Sequence, residues 1–194
     1  MMASKNWPNS KYFGRTREDI KAEWASSGEQ ASSEGTKMHK NIENFLNNEP
    51  LTHAVSKEFN MFLNFWRDLN RQYPRLRPYR TEQLVYDESI GLAGSIDLVL
   101  MDDAGNTFIF DWKRSKEIKL DNKFEKGFPP FQHYDNCNYS HYTLQLNFYR
   151  HILETKYNAK VIFMMLVILH PDQDNFLCYP IPRVDVSHVW HTLN

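Results

Sequence analysis

The sequence predicts an α/β fold around one buried core, and three observations carry this. Apolar residues recur at helical spacing through the first third of the chain, alternating strand patterns flank a Gly-containing turn in the middle, and a helical segment followed by a compact apolar run comes near the end. At 194 residues the chain has ordinary single-domain size. With 41% apolar and 14% aromatic residues it can bury enough surface to offset its ordering entropy, which excludes intrinsic disorder for most of it.

Residues 1–15 are polar and aperiodic and are expected to form a flexible N-terminal arm, leaving 16–194 as one domain. Thr16, followed by Glu18 and Asp19, marks a helix start; Ile20 and Trp24 share a face, and Ser26, Ser27 and Gly28 predict its stop. A second helix restarts at Ser33 with Met38, Ile42, Phe45 and Leu46 at three- and four-residue spacing, and ends before Pro50. Thr52 is the expected cap of a third. Its broad stripe of Val55, Phe59, Phe62, Leu63, Trp66 and Leu69 predicts core up to Pro74. Residues 81–86, 92–101 and 107–113 read as strands, the last two joined by a hairpin loop, Asp103-Ala104-Gly105, with Gly in the left-handed position. The stretch 115–140 has no period and is too long for an ordinary connection, which marks it as functional or partly mobile. A helix over 142–157, a buried strand over 160–169, a partner strand over 176–181 and a closing segment over 186–193 complete the chain.

Twenty-three Lys and Arg against 24 Asp and Glu give a formal charge of −1, so any polyanion must be held by a local patch. The longest apolar stretch, 161–169, is about half the roughly 20 residues that cross a bilayer. The chain start carries no apolar core of secretion-signal length, and two cysteines, Cys137 and Cys178, make no disulfide framework. An intracellular, non-membrane protein is expected.

The hairpin is where chemistry enters. Asp97 and Asp111 are equally far in sequence from Ala104, so the loop sets them opposite one another, side-chain origins roughly 5 Å apart. Two like charges so close cost free energy unless a cation neutralises them. Alternation puts Lys113 on the face of Asp111, while Phe108, Phe110 and Trp112 face the other way with Ile96, Leu98 and Leu100. Two hard oxygen ligands suit magnesium or manganese; the alternative is a set of polar residues at a solvated sheet end. Gly35, His39 and Glu43 recur every four residues along one helical face, where Gly35 removes bulk and His39 offers an imidazole ligand or is an ordinary helix histidine. Gln145 and Tyr149 are also four apart, on a helix whose other side, Leu144, Phe148 and Ile152, reads as core. An amide and a phenol facing one way bind phosphate, or pack a helix–sheet boundary.

Taken in order, Gly35-x3-His39-x3-Glu43, Gly94-x2-Asp97, Asp111-x-Lys113 and Gln145-x3-Tyr149 resemble the PD-(D/E)xK nuclease superfamily, specifically its RecB-like exonuclease branch. The run Trp24-x3-Gly28-x2-Ala31-x3-Gly35-Thr36 is similar to the lead-in helix of that branch. The resemblance implies a restriction-endonuclease-like core, a central mixed β-sheet flanked by helices. It implies Asp97, Asp111 and His39 as ligands of Mg2+ or Mn2+, with the Trp112 carbonyl a further one, and Lys113 as the catalytic lysine. Glu43 would support the metal site, Gln145 and Tyr149 would hold the lysine, the attacking water or the phosphate, and Glu82 is a weaker candidate beside the metal. Iron–sulfur members use four cysteines, so no cluster is expected here, and the chain looks like cluster-free members such as the mitochondrial genome-maintenance and lambda-type phage exonucleases.

The implied activity is metal-dependent hydrolysis of DNA phosphodiester bonds by an exonuclease of replication, recombination or repair, of cellular, phage or viral origin. Its partner would be single-stranded DNA or duplex DNA with free ends, and relatives allow an oligomer. Alternatives are an endonuclease of the same superfamily acting on DNA or RNA, and a non-catalytic nucleic-acid-binding module on a nuclease fold. Lys113, Arg114, Lys116, Lys119, Lys123 and Lys126 form a basic run that is either a phosphate track or a solvated loop balanced by Glu117, Asp121 and Glu125. Tyr134, Tyr139, Tyr142, Phe128 and Phe131 either stack bases or pin that loop. Alanine at Asp97, Asp111 or Lys113 is expected to abolish cleavage with little effect on folding.

Overall fold

A computed structural model describes residues 7–192. They form two compact units, one ending at Lys37 and one starting at Met38, with the boundary inside a helix. Residues 1–6 of the expected arm lie outside the described residues.

In the first unit a short 3-10 turn, Trp7–Asn9, precedes helix α1, Arg17–Leu46. Thr16 caps α1 reciprocally: its hydroxyl accepts from the Asp19 amide at 3.1 Å, and its own amide donates to the Asp19 carboxylate at 3.3 Å. Trp24 donates to the Tyr12 hydroxyl at 2.7 Å. The stop expected at Ser26-Ser27-Gly28 does not occur, and the two short helices are one of 30 residues. Ser and Gly cost only about 0.5 to 1 kcal/mol each relative to Ala, and without proline no backbone bond is lost.

The second unit holds the C-terminal turns of α1, then α2, Lys57–Gln72, capped by Ser56 rather than Thr52. The Ser56 hydroxyl accepts from the Phe59 amide at 3.2 Å. Thr52 and Val55 fall in the connection, which buried Asn41 and Asn44 hold by donating to the His53 and Pro50 carbonyls. Five strands follow the order of the chain across one sheet: β1, Arg77–Asp87; β2, Leu92–Met101; β3, Asn106–Lys113; β4, Lys160–Ile168; β5, Leu177–Pro180. All neighbours are antiparallel except β3 and β4, which are parallel and need the crossover helix α3, Asn138–Lys156. A short α4, His188–Thr192, closes the described chain.

This is the expected central mixed sheet flanked by helices. One face packs Leu98, Leu100, Phe110 and Trp112 beneath Met38 and Ile42 of α1 and Phe59, Phe62 and Phe65 of α2. The other packs Val99, Ile109, Met164 and Leu166 beneath Leu146, Ile152 and Leu153 of α3. Ile96 differs from the simple alternation and lies in this second layer with Val85 and Val99. It pairs with Gln83, next to Glu82, whose φ is +45°, while the β1–β2 register itself shifts earlier, between Pro78 and Arg80. Among the described residues no helix is long and apolar enough to cross a membrane.

Candidate metal and phosphate site

The hairpin turn forms with Gly105 at φ +77°, and the β2–β3 register pairs Leu98 with Phe110 and Met101 with Thr107. Continued by one residue, it brings Asp97 and Asp111 opposite each other, as the spacing predicts. The ladder does not continue as backbone pairs. Instead the Trp112 amide donates to Asp97 Oδ2 at 2.6 Å, so a side chain takes the place of a backbone acceptor. The other oxygen, Asp97 Oδ1, is 3.4 Å from His39 Nδ1 on α1.

Asp111 is buried, with Oδ2 2.5 Å from Lys113 Nζ. This oxygen has a charge partner but no hydrogen bond of proper geometry. Burial, with the Asp97 charge added, pushes the Asp111 carboxyl up to about 6, against the pull of Lys113 and His39. Burial acts to lower the Lys113 pKa, but Asp111 and Asp97 outweigh it and raise it, keeping the ammonium charged. That ammonium also lies 5.3 Å from the centre of the Tyr142 ring. His39 behaves alike: burial lowers its pKa, and the hydrogen bond and charge of Asp97 more than offset this.

Glu82, Asp97 and His39 place one possible ligand atom each within 4.8 Å of one another. Ser95 holds the Glu82 carboxylate through a 2.7 Å hydrogen bond across the β1–β2 pair. The donor set is thus one imidazole and three carboxylates against a single ammonium. An imidazole among hard carboxylate oxygens, with more negative charge than the single ammonium offsets, fits a hard divalent cation. The ligand set expected from sequence was His39, Asp97, Asp111 and Trp112. The tight group contains Glu82 in place of Asp111, which is engaged by Lys113; the expectation at Trp112 concerned its carbonyl, and its indole is buried in the α1–α2 layer.

The other expected residues divide. Glu43 is not in this group and pairs with Lys40 at 2.9 Å. Gln145 donates to the Tyr149 hydroxyl at 3.0 Å, so the pair acts together. Tyr149 lies on the buried, sheet-facing side of α3 with Leu146, Ile152 and Leu153, whereas Leu144 and Phe148 are half-buried, which corrects the face assignment. Burial raises the Tyr149 pKa, so the phenol keeps its proton. Its ring lies over Gly94: a Cβ there would sit 2.4 Å from Tyr149 Cε1. Space is therefore needed at Gly94, while a Cβ at Gly35 would meet no described atom within 4 Å.

Of the basic run, Arg114 donates to buried Glu58 of α2 at 2.7 Å, which turns the guanidinium inward. Lys116 pairs with exposed Asp172 at 2.8 Å and Lys126 with Asp135. Among the described residues Lys119 and Lys123 make no ion pair, and both are exposed. Ser95 and Glu58 are supporting residues that sequence reasoning missed, and Tyr142, expected to stack bases or pin the loop, instead faces the Lys113 ammonium. No local signal marks them, because each acts through a partner at least 13 residues away.

No family model matches the sequence, and no curated protein matches it. Among solved structures, the chain is similar to a repair endonuclease from Pyrococcus abyssi, with 17% identity over 63% of this chain and 42% of that one, TM-score 0.33. It is also similar to an exonuclease, by provisional assignment, from Eubacterium rectale, with 13% identity over 82% of this chain and 63% of that one, TM-score 0.45. The chain thus spans about two-fifths to three-fifths of the length of these structures.

Proposed function

We propose that the chain is a PD-(D/E)xK nuclease of the RecB-like exonuclease branch that hydrolyses DNA phosphodiester bonds with Mg2+ or Mn2+, its nuclease domain covering 16–194. One observation carries the reading: α1, β2 and β3 deliver His39, Asp97, Asp111 and Lys113 to one spot, where a buried carboxylate oxygen lacks a hydrogen bond. His39, Glu82 and Asp97, with Asp111 beside them, would hold the ion. Bound there, a divalent cation supplies Lewis-acid polarisation and charge neutralisation for a phosphoryl group.

The chain's own residues do the rest. Lys113, fixed by Asp111 and Tyr142, presents a positive charge that stabilises negative charge developing on the phosphoryl oxygens. Tyr149 already accepts a hydrogen bond from Gln145, which leaves its own O–H to donate to a substrate oxygen. The nearly full burial of Asp97 and Asp111 keeps water away from these charges and strengthens them.

The test is degradation of end-labelled linear single-stranded DNA, duplex DNA, RNA and a closed circle with Mn2+, Mg2+ or chelator, beside Lys113→Ala. Metal-dependent loss of linear DNA with the circle spared is the expected result. Cleavage of the circle would make the enzyme an endonuclease, and cleavage unaffected by Lys113→Ala would overturn the site assignment.

A further inference from the structure

The connection from β3 to α3, residues 114–137, starts directly after Lys113 and ends five residues before Tyr142, whose ring faces that lysine. It is internally bonded. Lys126 bridges Asp135, the Gly127 amide donates to the Tyr134 carbonyl at 2.9 Å, and the Asn136 amide to the Glu125 carbonyl at 3.0 Å. Gly127 is required where this small hairpin closes, since a Cβ there would lie 2.6 Å from the Phe131 carbonyl oxygen. Phe131 turns inward and packs edge-on against Phe148 of α3 at 5.7 Å, pinning the loop.

Against that background two phenyl rings point the other way. Phe124 is 96% exposed and Phe128 82% exposed. A loop tied down by its own hydrogen bonds and by Phe131 holds these rings in water, where each forgoes about 2 kcal/mol of burial. Unpaired Lys119 and Lys123 stand in the same stretch, while Glu125 accepts from Asn136 and Asp135 takes Lys126. Aromatic faces interleaved with ammonium groups, on the connection that leaves β3 directly after Lys113, match the chemistry of a stacked, unpaired nucleotide strand.

We infer that Phe124 and Phe128, with Lys119 and Lys123, form a stacking platform that holds single-stranded nucleic acid leading into the Asp97–Lys113 site. The inference rests on the nuclease reading for its partner, but not on catalysis. Asp121 and Glu117 offset the two lysines in overall charge, so the rings carry more of the hold than the two phosphate contacts do.

The experiment is fluorescence anisotropy of a labelled oligothymidylate of about twenty nucleotides on the full chain in chelator, where nothing is cleaved. Phe124→Ala and Phe128→Ala should each weaken binding about five- to fifty-fold, while Phe→Tyr at both positions restores it. Lys119→Gln with Lys123→Gln should lower the salt slope by about 1.4, the value for two single-strand phosphate contacts. Melting temperatures should be unchanged, as both rings are in solvent. An oligoribonucleotide arm reports whether the platform distinguishes RNA from DNA, and equal binding supports it, since stacking ignores the sugar.

Wild-type affinity in the double Phe→Ala variant overturns the inference, as does an equal loss on blunt duplex, which has no free bases to stack. The two readings separate cleanly. Lys113-dependent cleavage with Phe-independent binding overturns the platform alone, and Phe-dependent binding without cleavage overturns the nuclease reading alone.

Discussion

Gly94→Ala tests the packing that positions Tyr149. The added Cβ would lie 2.4, 2.5 and 2.7 Å from Tyr149 Cε1, OH and Cζ, about 1 Å inside ordinary carbon contact. The ring cannot yield freely, being buried in the α3 layer and held by Gln145 at 3.0 Å. Overpacking of this size costs about 2 kcal/mol, or about 4 to 8 °C in melting temperature for a chain of this length. Retreat of the hydroxyl by about 1 Å should also slow single-turnover cleavage roughly 100-fold. The assay is a double-mutant cycle of Gly94→Ala with Tyr149→Ala, read by thermal melting. With the ring gone, the extra methyl should cost nearly nothing, giving a coupling of about 2 kcal/mol. Tyr149→Phe keeps the obstructing ring and isolates the hydroxyl's share of the rate. Additive melting shifts, or a Gly94→Ala protein as stable and active as wild type, would refute the reasoning.

Asp111→Asn should raise the melting temperature of the metal-free protein at pH 7.5. Because the Asp111 carboxyl titrates at about 6 in the folded chain, above its ordinary 3.8, the folded state loses stability as pH rises from about 4 through about 6, and the difference between variant and wild type should vanish near pH 4. A variant that melts lower at pH 7.5 would contradict this. Glu58→Gln strands Arg114 in a largely buried position and should destabilise by about 2 to 3 kcal/mol, below the full cost of a broken buried pair because Arg114 keeps some solvent, as denaturant unfolding would report. His39→Gln and Glu82→Gln should each weaken Mn2+ binding in calorimetry at least tenfold, and an unchanged titration for either would remove that residue from the ligand set.

The hairpin was legible because period-two alternation and a Gly-centred turn are local, and they alone brought Asp97, Asp111 and Lys113 together. The mixed sheet was expected from the family resemblance rather than from local pattern, and the crossover helix α3 between β3 and β4 is what makes that one pair parallel. What stayed hidden depends on distant partners. Helix α1 runs through Ser26-Ser27-Gly28 because the cost of weak helix formers is small, a matter of energy that a stop signal read by eye overstates. The cap of α2 moved to Ser56 because Asn41 and Asn44 fix the residues before it. Glu82 was already a weaker candidate beside the metal, and what stayed hidden is the left-handed backbone from which it reaches Asp97 and His39. Arg114 looked like a phosphate contact by charge alone, and only the fold shows buried Glu58 facing it.

The bond from the Trp112 amide to Asp97 has a practical consequence. One carboxylate serves at once as a rung of the sheet and as a proposed metal ligand, so the two duties cannot be separated by mutation at that position. Alanine at 97 abandons a buried main-chain donor, at about 1 to 3 kcal/mol, and unfastens the hairpin end that carries Asp111. The expectation of silent folding therefore fails for this residue, and a dead Asp97→Ala protein would say as much about a frayed strand as about chemistry. At Lys113 the main-chain tie, a 2.9 Å bond from the Leu169 amide to its carbonyl, survives any side-chain change, and the cost of replacement is the ammonium taken from buried Asp111.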